Sequence, residues 1–273
     1  MRKRQIRAVI KKDIKAVTSS FQLWLPMLLL PVVFSLLLPC LLILPAYKYD
    51  ISERSILEVL NNLPPGELRE TIFSFASTNQ QMVYFSVHYL FAPFLLIIPL
   101  MAASVLGAGS FAREKERKTM ESLLFAPISA PDLFRAKIFA AFIPAVLLTF
   151  FSFLLYGTTV NLAAYRLFGG LIFPRPHWLI LLFWVCPALS LGAVFLNVFI
   201  SARVKGFQEA YQLGAVTVLP LIALIAGQIT GVLLLNNTVL WLLGAGLWLL
   251  DFFLIRRAGR YLDRNKLFAT LAS

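Results

Sequence analysis

The chain has 273 residues, of which 59% are hydrophobic and only 14% charged, with a mean hydropathy of +0.80. A water-soluble domain carries roughly 25% charged residues, so this composition marks an integral membrane protein and leaves no length for a separate soluble catalytic domain. The net charge of +12 comes from bases gathered at the ends of apolar runs, a placement that suits lipid headgroups and membrane orientation and argues against nucleic acid.

In chain order, residues 1–22 come first. Ile6, Val9, Ile10, Ile14, Val17 and Phe21 recur at helical spacing with Arg7, Lys11, Lys12 and Lys15 between them, which predicts a basic amphipathic helix along the membrane interface. A basic start followed by an apolar run also resembles a signal peptide. The run Leu23–Ala46 is about twice a typical signal core and has no small-x-small cleavage site, so it is expected to stay as a membrane helix. A spanning helix needs about 20 mostly apolar residues, and six segments qualify: 23–46, 83–112, 138–159, 178–200, 213–235 and 239–255. The predicted fold class is therefore an all-α polytopic membrane protein. Pro26, Pro31, Pro39 and Pro45 in the first segment and Pro93 and Pro99 in the second kink their helices, either as hinges or as static bends.

Between the crossings lie 47–82, 113–137, 160–177 and 201–212, with a tail at 256–273. Twenty of the 25 Lys and Arg residues fall in 1–22, 113–137, 201–212 and 256–273. Positive charge stays on the cytoplasmic side, so both termini are expected inside and 47–82 outside, in the plasma (inner) membrane. Within 47–82, short helices are expected at Ile51–Leu60 and Glu67–Ala76, separated by Asn61-Asn62-Leu63-Pro64-Pro65-Gly66.

Catalytic and metal-binding patterns are missing from the sequence: no His-Glu-x-x-His, no nucleophile elbow, no Cys/His spacing and no Gly-Lys-Ser/Thr phosphate loop. Cys40 and Cys186 lie singly inside apolar runs and read as small hydrophobes. His88 and His177 are expected at the interface. Asp251 stands about one turn from the end of the last helix, either as an interhelical or transport residue or as a carboxylate reaching headgroups or a nearby Arg. Gly227-Gln228-Ile229-Thr230-Gly231 fits a small-xxx-small contact only weakly.

The densest mixed-charge block is Arg113 to Pro131. Arg113, Glu114, Glu116, Arg117 and Lys118 offer opposite charges three and four apart, which predicts a helix running on past the bilayer. Leu123, Leu124 and Phe125 form an apolar patch, Pro127 stops the helix, and Ser129 with Ala130-Pro131-Asp132 starts the next one. The result is a helical hairpin with a charged rim and an apolar tip.

This pattern resembles the permease subunits of ABC-2-type transporters, in the group that includes sodium- and drug-export permeases. The matching residues are Glu114-Lys115-Glu116, Thr119, Glu121, Leu123-Leu124, Pro127-Ile128-Ser129, Leu133 and Ala136-Lys137. The resemblance implies an exporter permease that forms the translocation path and works with a separate ABC ATP-binding subunit and a second permease copy, identical or closely homologous. It implies that the chain itself binds no cofactor, ATP and Mg being held by the partner, and that it is not an enzyme. It places Arg113, Glu114, Glu116, Thr119 and Glu121 where they hold the hairpin against the amphipathic helix and the ATPase, with Leu123, Leu124, Pro127, Ile128 and Ser129 near the contact tip. A secondary transporter or channel, or a non-transporting membrane anchor or sensor, are the alternatives; the substrate is open.

Overall fold

The computed structural model describes residues 2–19, 21–49, 58, 60, 63, 66–125, 128–229 and 235–258, and every regular element among them is helical. These are α1 (Arg2–Thr18), α2 (Met27–Tyr47), α3 (Glu67–Phe73), α4 (Thr78–Glu116), α5 (Met120–Phe125), α6 (Ala130–Phe168), α7 (Pro176–Arg203), α8 (Phe207–Gln228) and α9 (Asn237–Arg257). Six of them, α2, α4 and α6 to α9, are long and apolar enough to cross a membrane, so the chain is an all-α, multi-pass membrane protein. The predicted helix at Ile51–Leu60 falls mostly outside the described residues, as do Thr230 and Gly231 of the small-residue pattern.

The bundle is built around α4. Its apolar stretch is 78% buried, against 17% for α8 and α9, because α2, α6, α7 and α8 all pack on it. A capping box starts α4: the Ser77 hydroxyl accepts from the Gln80 amide and the Gln80 side chain accepts from the Ser77 amide, both at 3.2 Å. Close approach of α7 depends on small residues. A Cβ on Gly107 would stand 2.6 Å from Asn197 Cβ. One turn on, the Ser201 hydroxyl accepts from the amides of Phe111 and Ala112 at 2.9 Å and donates to the Ala108 carbonyl at 2.6 Å.

Three of the crossings contain a wide π turn: Val33–Leu37, Ser86–Leu90 and Leu181–Val185. Each comes just before a proline, respectively Pro39, Pro93 and Pro187. Proline lacks the amide that closes an α turn and its ring collides with the preceding turn; a widened turn relieves the collision without unwinding the helix. Pro99 of α4 and Pro144 of α6 sit inside α-helix without such a turn.

At the end of the bundle away from α1, the sharp connection from α6 to α7 is held by Asn161. Its oxygen accepts from the Ile172 and Phe173 amides at 3.2 and 3.1 Å, and its nitrogen donates to the Phe173 carbonyl at 2.8 Å. Gly169 closes α6 at φ +69, where a side chain would be strained. The histidines here, expected from their sequence position at the interface, are enclosed by protein. His88 and His177 are buried in an aromatic cluster with Tyr84, Tyr89, Phe173 and Trp178. The Trp178 indole donates to His88 Nδ1 at 3.3 Å, and His177 Nε2 lies 3.1 Å from the His88 carbonyl. Position along the helix says how deep a residue lies, but packing against α7 decides whether it meets lipid or protein.

Candidate coupling site at the basic end of the bundle

The helix α4 ends sooner than its charge pattern predicts. Arg117 leaves the helical region and Lys118 takes φ +56. The Thr119 amide returns to the Glu114 carbonyl at 2.9 Å and the Lys118 amide to the Lys115 carbonyl at 3.0 Å. That pair of bonds is a Schellman close with Lys118 in the left-handed position usually held by glycine. The chain then restarts as the short α5. Predicted i,i+3 and i,i+4 pairs of Glu114 with Arg117 and Lys118 do not form among the described residues, because Glu114 points into the bundle, where stronger partners wait.

The three residues Glu114, Lys115 and Glu116 engage four different helices between them. A side chain turns about 100° per residue around a helix, so three in a row address three directions. Glu114 faces α1 and α6. Its Oε1 is 2.7 Å from Lys12 Nζ and 3.4 Å from Lys137 Nζ, and its Oε2 accepts the Thr119 hydroxyl. Lys137 also lies 2.9 Å from Asp13 Oδ2. Two bases and two acids from α1, α4 and α6 thus form one neutral quartet, in which the Lys137 side chain is only 1% exposed. A buried ammonium of this kind is tolerable only with close anionic partners.

Lys115 turns the other way. Its ammonium donates to the Ala202 and Val204 carbonyls at 2.8 and 2.7 Å. These are terminal carbonyls of α7, which otherwise lack partners and carry the negative end of the helix dipole. Glu116 accepts the Phe207 amide at 2.7 Å, so its carboxylate caps the start of α8, where the dipole is positive. Arg113 folds back along its own helix, donating to the Gly109 carbonyl at 3.1 Å and lying 5.7 Å from the centre of the Phe207 ring.

Beyond α5, Ser129 caps α6. Its hydroxyl accepts from the Asp132 amide at 3.3 Å and lies 2.6 Å from Asp132 Oδ2, with Pro131 in the first turn, the placement that suits a helix start. Ile128 is half-buried against the main core. Glu121 and Phe125 on α5 are exposed. The side chains of Leu123 and Leu124, and Pro127 altogether, lie outside the described residues.

Of the residues picked from sequence, Glu114 and Thr119 meet in the quartet, Arg113 and Glu116 gather on the α8 side, and Glu121 stands apart on α5. Lys12, Asp13, Lys115, Lys137 and Ser201 carry much of the junction without having been assigned a role. Asp13 had a visible signal: it is the single acid among the first 22 residues, set in a basic helix. Ser201 had none.

No curated protein and no solved structure matches the chain. A family model described as "ABC-2 family transporter protein" matches residues 7–243, from within α1 to within α9, taking in the junction, the first five candidate crossings and the start of the sixth. The chain therefore belongs to the ABC-2 family of transporter proteins.

Proposed function

We propose that this protein is the permease subunit of an ATP-driven exporter, forming the translocation path and taking its energy from a separate ATP-binding subunit. The observation that carries this reading is the junction at Glu114-Lys115-Glu116: one short segment of the central helix grips α1, α6, α7 and α8 at once. Force applied there reaches most of the bundle. The basic end is cytoplasmic in this reading, as the distribution of Lys and Arg supports, with both termini inside the plasma membrane's inner face. ATP and Mg are bound by the partner, not by this chain.

In this mechanism the ATP-binding subunit docks against α5 and the turn that follows it, where Glu121 and Phe125 are exposed. By the family resemblance, the contact also involves Leu123, Leu124, Pro127, Ile128 and Ser129. Closure of the ATPase pair pushes α5; Thr119 and Glu114 pass the displacement to α1 and α6, and Lys115 and Glu116 pass it to the connection between α7 and α8. Two permease copies, identical or closely homologous, complete the pathway.

Co-purification of the full chain with an ATP-binding subunit, followed by transport in reconstituted vesicles, tests this. Glu121→Ala is expected to leave the assembly intact while lowering ATP-dependent transport at least several-fold. Transport at full rate without any nucleotide-binding partner would refute the reading. A secondary transporter is the second reading, and one observation favours it: Asp251 is a carboxylate 2% exposed inside the last crossing, and such groups mark ion pathways. Dependence on a proton or sodium gradient with no effect of ATP would select that alternative.

A further inference from the structure

Among the described residues Asp251 meets no arginine, and its side chain is buried. Both of its carboxylate oxygens are buried and have no hydrogen-bond partner among the described residues. Space for them exists because residue 192 is glycine: a Cβ there would stand 2.6 Å from Asp251 Oδ1. A carboxylate held in apolar surroundings without a donor is costly, and nothing in the packing of α9 on α7 requires one.

The same residue forms part of the wall of a cavity of about 440 Å3 between α4, α7, α8 and α9. That volume suits a small organic molecule. Leu96 on α4, Leu189 on α7, Leu221 on α8 and Leu247 on α9 are typical of the lining. Of the seventeen described lining residues only Thr217 and Asp251 carry polar side chains, and no Lys or Arg is among them. The Thr217 hydroxyl donates to the Gly214 carbonyl at 2.7 Å and lies 3.4 Å from Ser104 Oγ, which leaves it an acceptor toward the cavity. Pro220, Gly246 and Leu250 on the rim are exposed, so the cavity opens sideways between α8 and α9.

We propose that this cavity binds an amphiphilic monocation, its apolar body among the leucines of the four helices and its ammonium against Asp251. The cation supplies the donor that both oxygens lack among the described residues. A zwitterionic lipid headgroup fits less well, since its phosphate would find no base among the described lining residues. Binding needs neither nucleotide nor partner, so the proposal stands or falls separately from the exporter reading.

The test is equilibrium dialysis of tritiated dodecylamine against the full chain in phosphatidylcholine nanodiscs, with empty nanodiscs subtracted. Saturable binding is expected, displaced by unlabelled dodecylamine and not by dodecanol. Asp251→Asn should weaken it roughly ten- to a hundredfold, the range of one charge-assisted hydrogen bond, while Asp251→Glu retains most of it. Gly246→Phe provides an independent variant, because a Cβ at that rim position meets nothing within 4 Å; the ring fills the mouth and should abolish binding in a folded protein. Unchanged affinity in both Asp251→Asn and Gly246→Phe, or equal displacement by dodecanol, would overturn the proposal. So would loss of dodecylamine binding in phosphatidylethanolamine nanodiscs, which would assign the site to the lipid.

Discussion

Replacing Glu114 by Gln keeps the size of the side chain and an acceptor for Thr119, and removes only the charge. What remains is Lys137, 1% exposed, with Asp13 at 2.9 Å as its anionic partner. Removing the partner of a buried ion costs about 3–5 kcal/mol when nothing replaces it; with Asp13 still in place, about half of that is expected. Lys12 is 54% exposed, so its pair with Glu114 contributes at most about 1 kcal/mol. Glu114→Gln should therefore destabilise the protein by about 2–3 kcal/mol. The assay is a double-mutant cycle with Lys137→Met, followed by denaturant titration in detergent. In the Lys137→Met background the Glu114→Gln change should cost less, by about 0.5–3 kcal/mol, the range for residues in one network. Additivity to within about 0.5 kcal/mol would show that the two charges do not depend on one another and would remove the quartet as a mechanical link.

Three further changes address the rest of the junction and the bundle. Lys115→Met removes both donors to the Ala202 and Val204 carbonyls and should cost about 2–3 kcal/mol in the same titration, with faster amide exchange around 204–207. Ser129→Ala deletes the cap of α6 and should cost about 1 kcal/mol, whereas Ser129→Asn, which keeps an acceptor for the Asp132 amide and a donor for its carboxylate, should be close to neutral. Gly107→Ala forces apart α4 and α7 where a Cβ would stand 2.6 Å from Asn197 Cβ, and a loss of about 1–3 kcal/mol is expected. Gly170→Ala, with nothing within 4 Å of its Cβ, is the control that should leave the titration midpoint unchanged.

How much of this was legible in advance follows from the range over which each interaction acts. Ser129, Pro131 and Asp132 announce a helix start because capping is settled within four residues. The end of α4 is just as local, yet its charge pairs suggest a longer helix. Lys118 is an unusual residue for a left-handed close, and only the hydrogen bonds of Thr119 back to Glu114 reveal it. The motif Glu114-Lys115-Glu116 stands out as a pattern, but its partners do not. Lys12 lies 102 residues away and Phe207 lies 91 residues away, and no spacing rule reaches so far.

The sequence by itself determined that this is an all-helical membrane protein with six crossings, since only long apolar helices satisfy their backbone in lipid, and its motif pointed to the ABC-2 family. Tertiary structure alone decided which way each polar residue faces. It sank His88 and His177 into an aromatic cluster, spread three consecutive charges among four helices, and left the Asp251 carboxylate beside a cavity with no partner among the described residues. Inside a bilayer the depth of a residue is written in its place along the chain. Whether it meets lipid, protein or a cavity depends on the rotation and packing of helices, which are set by contacts between distant residues.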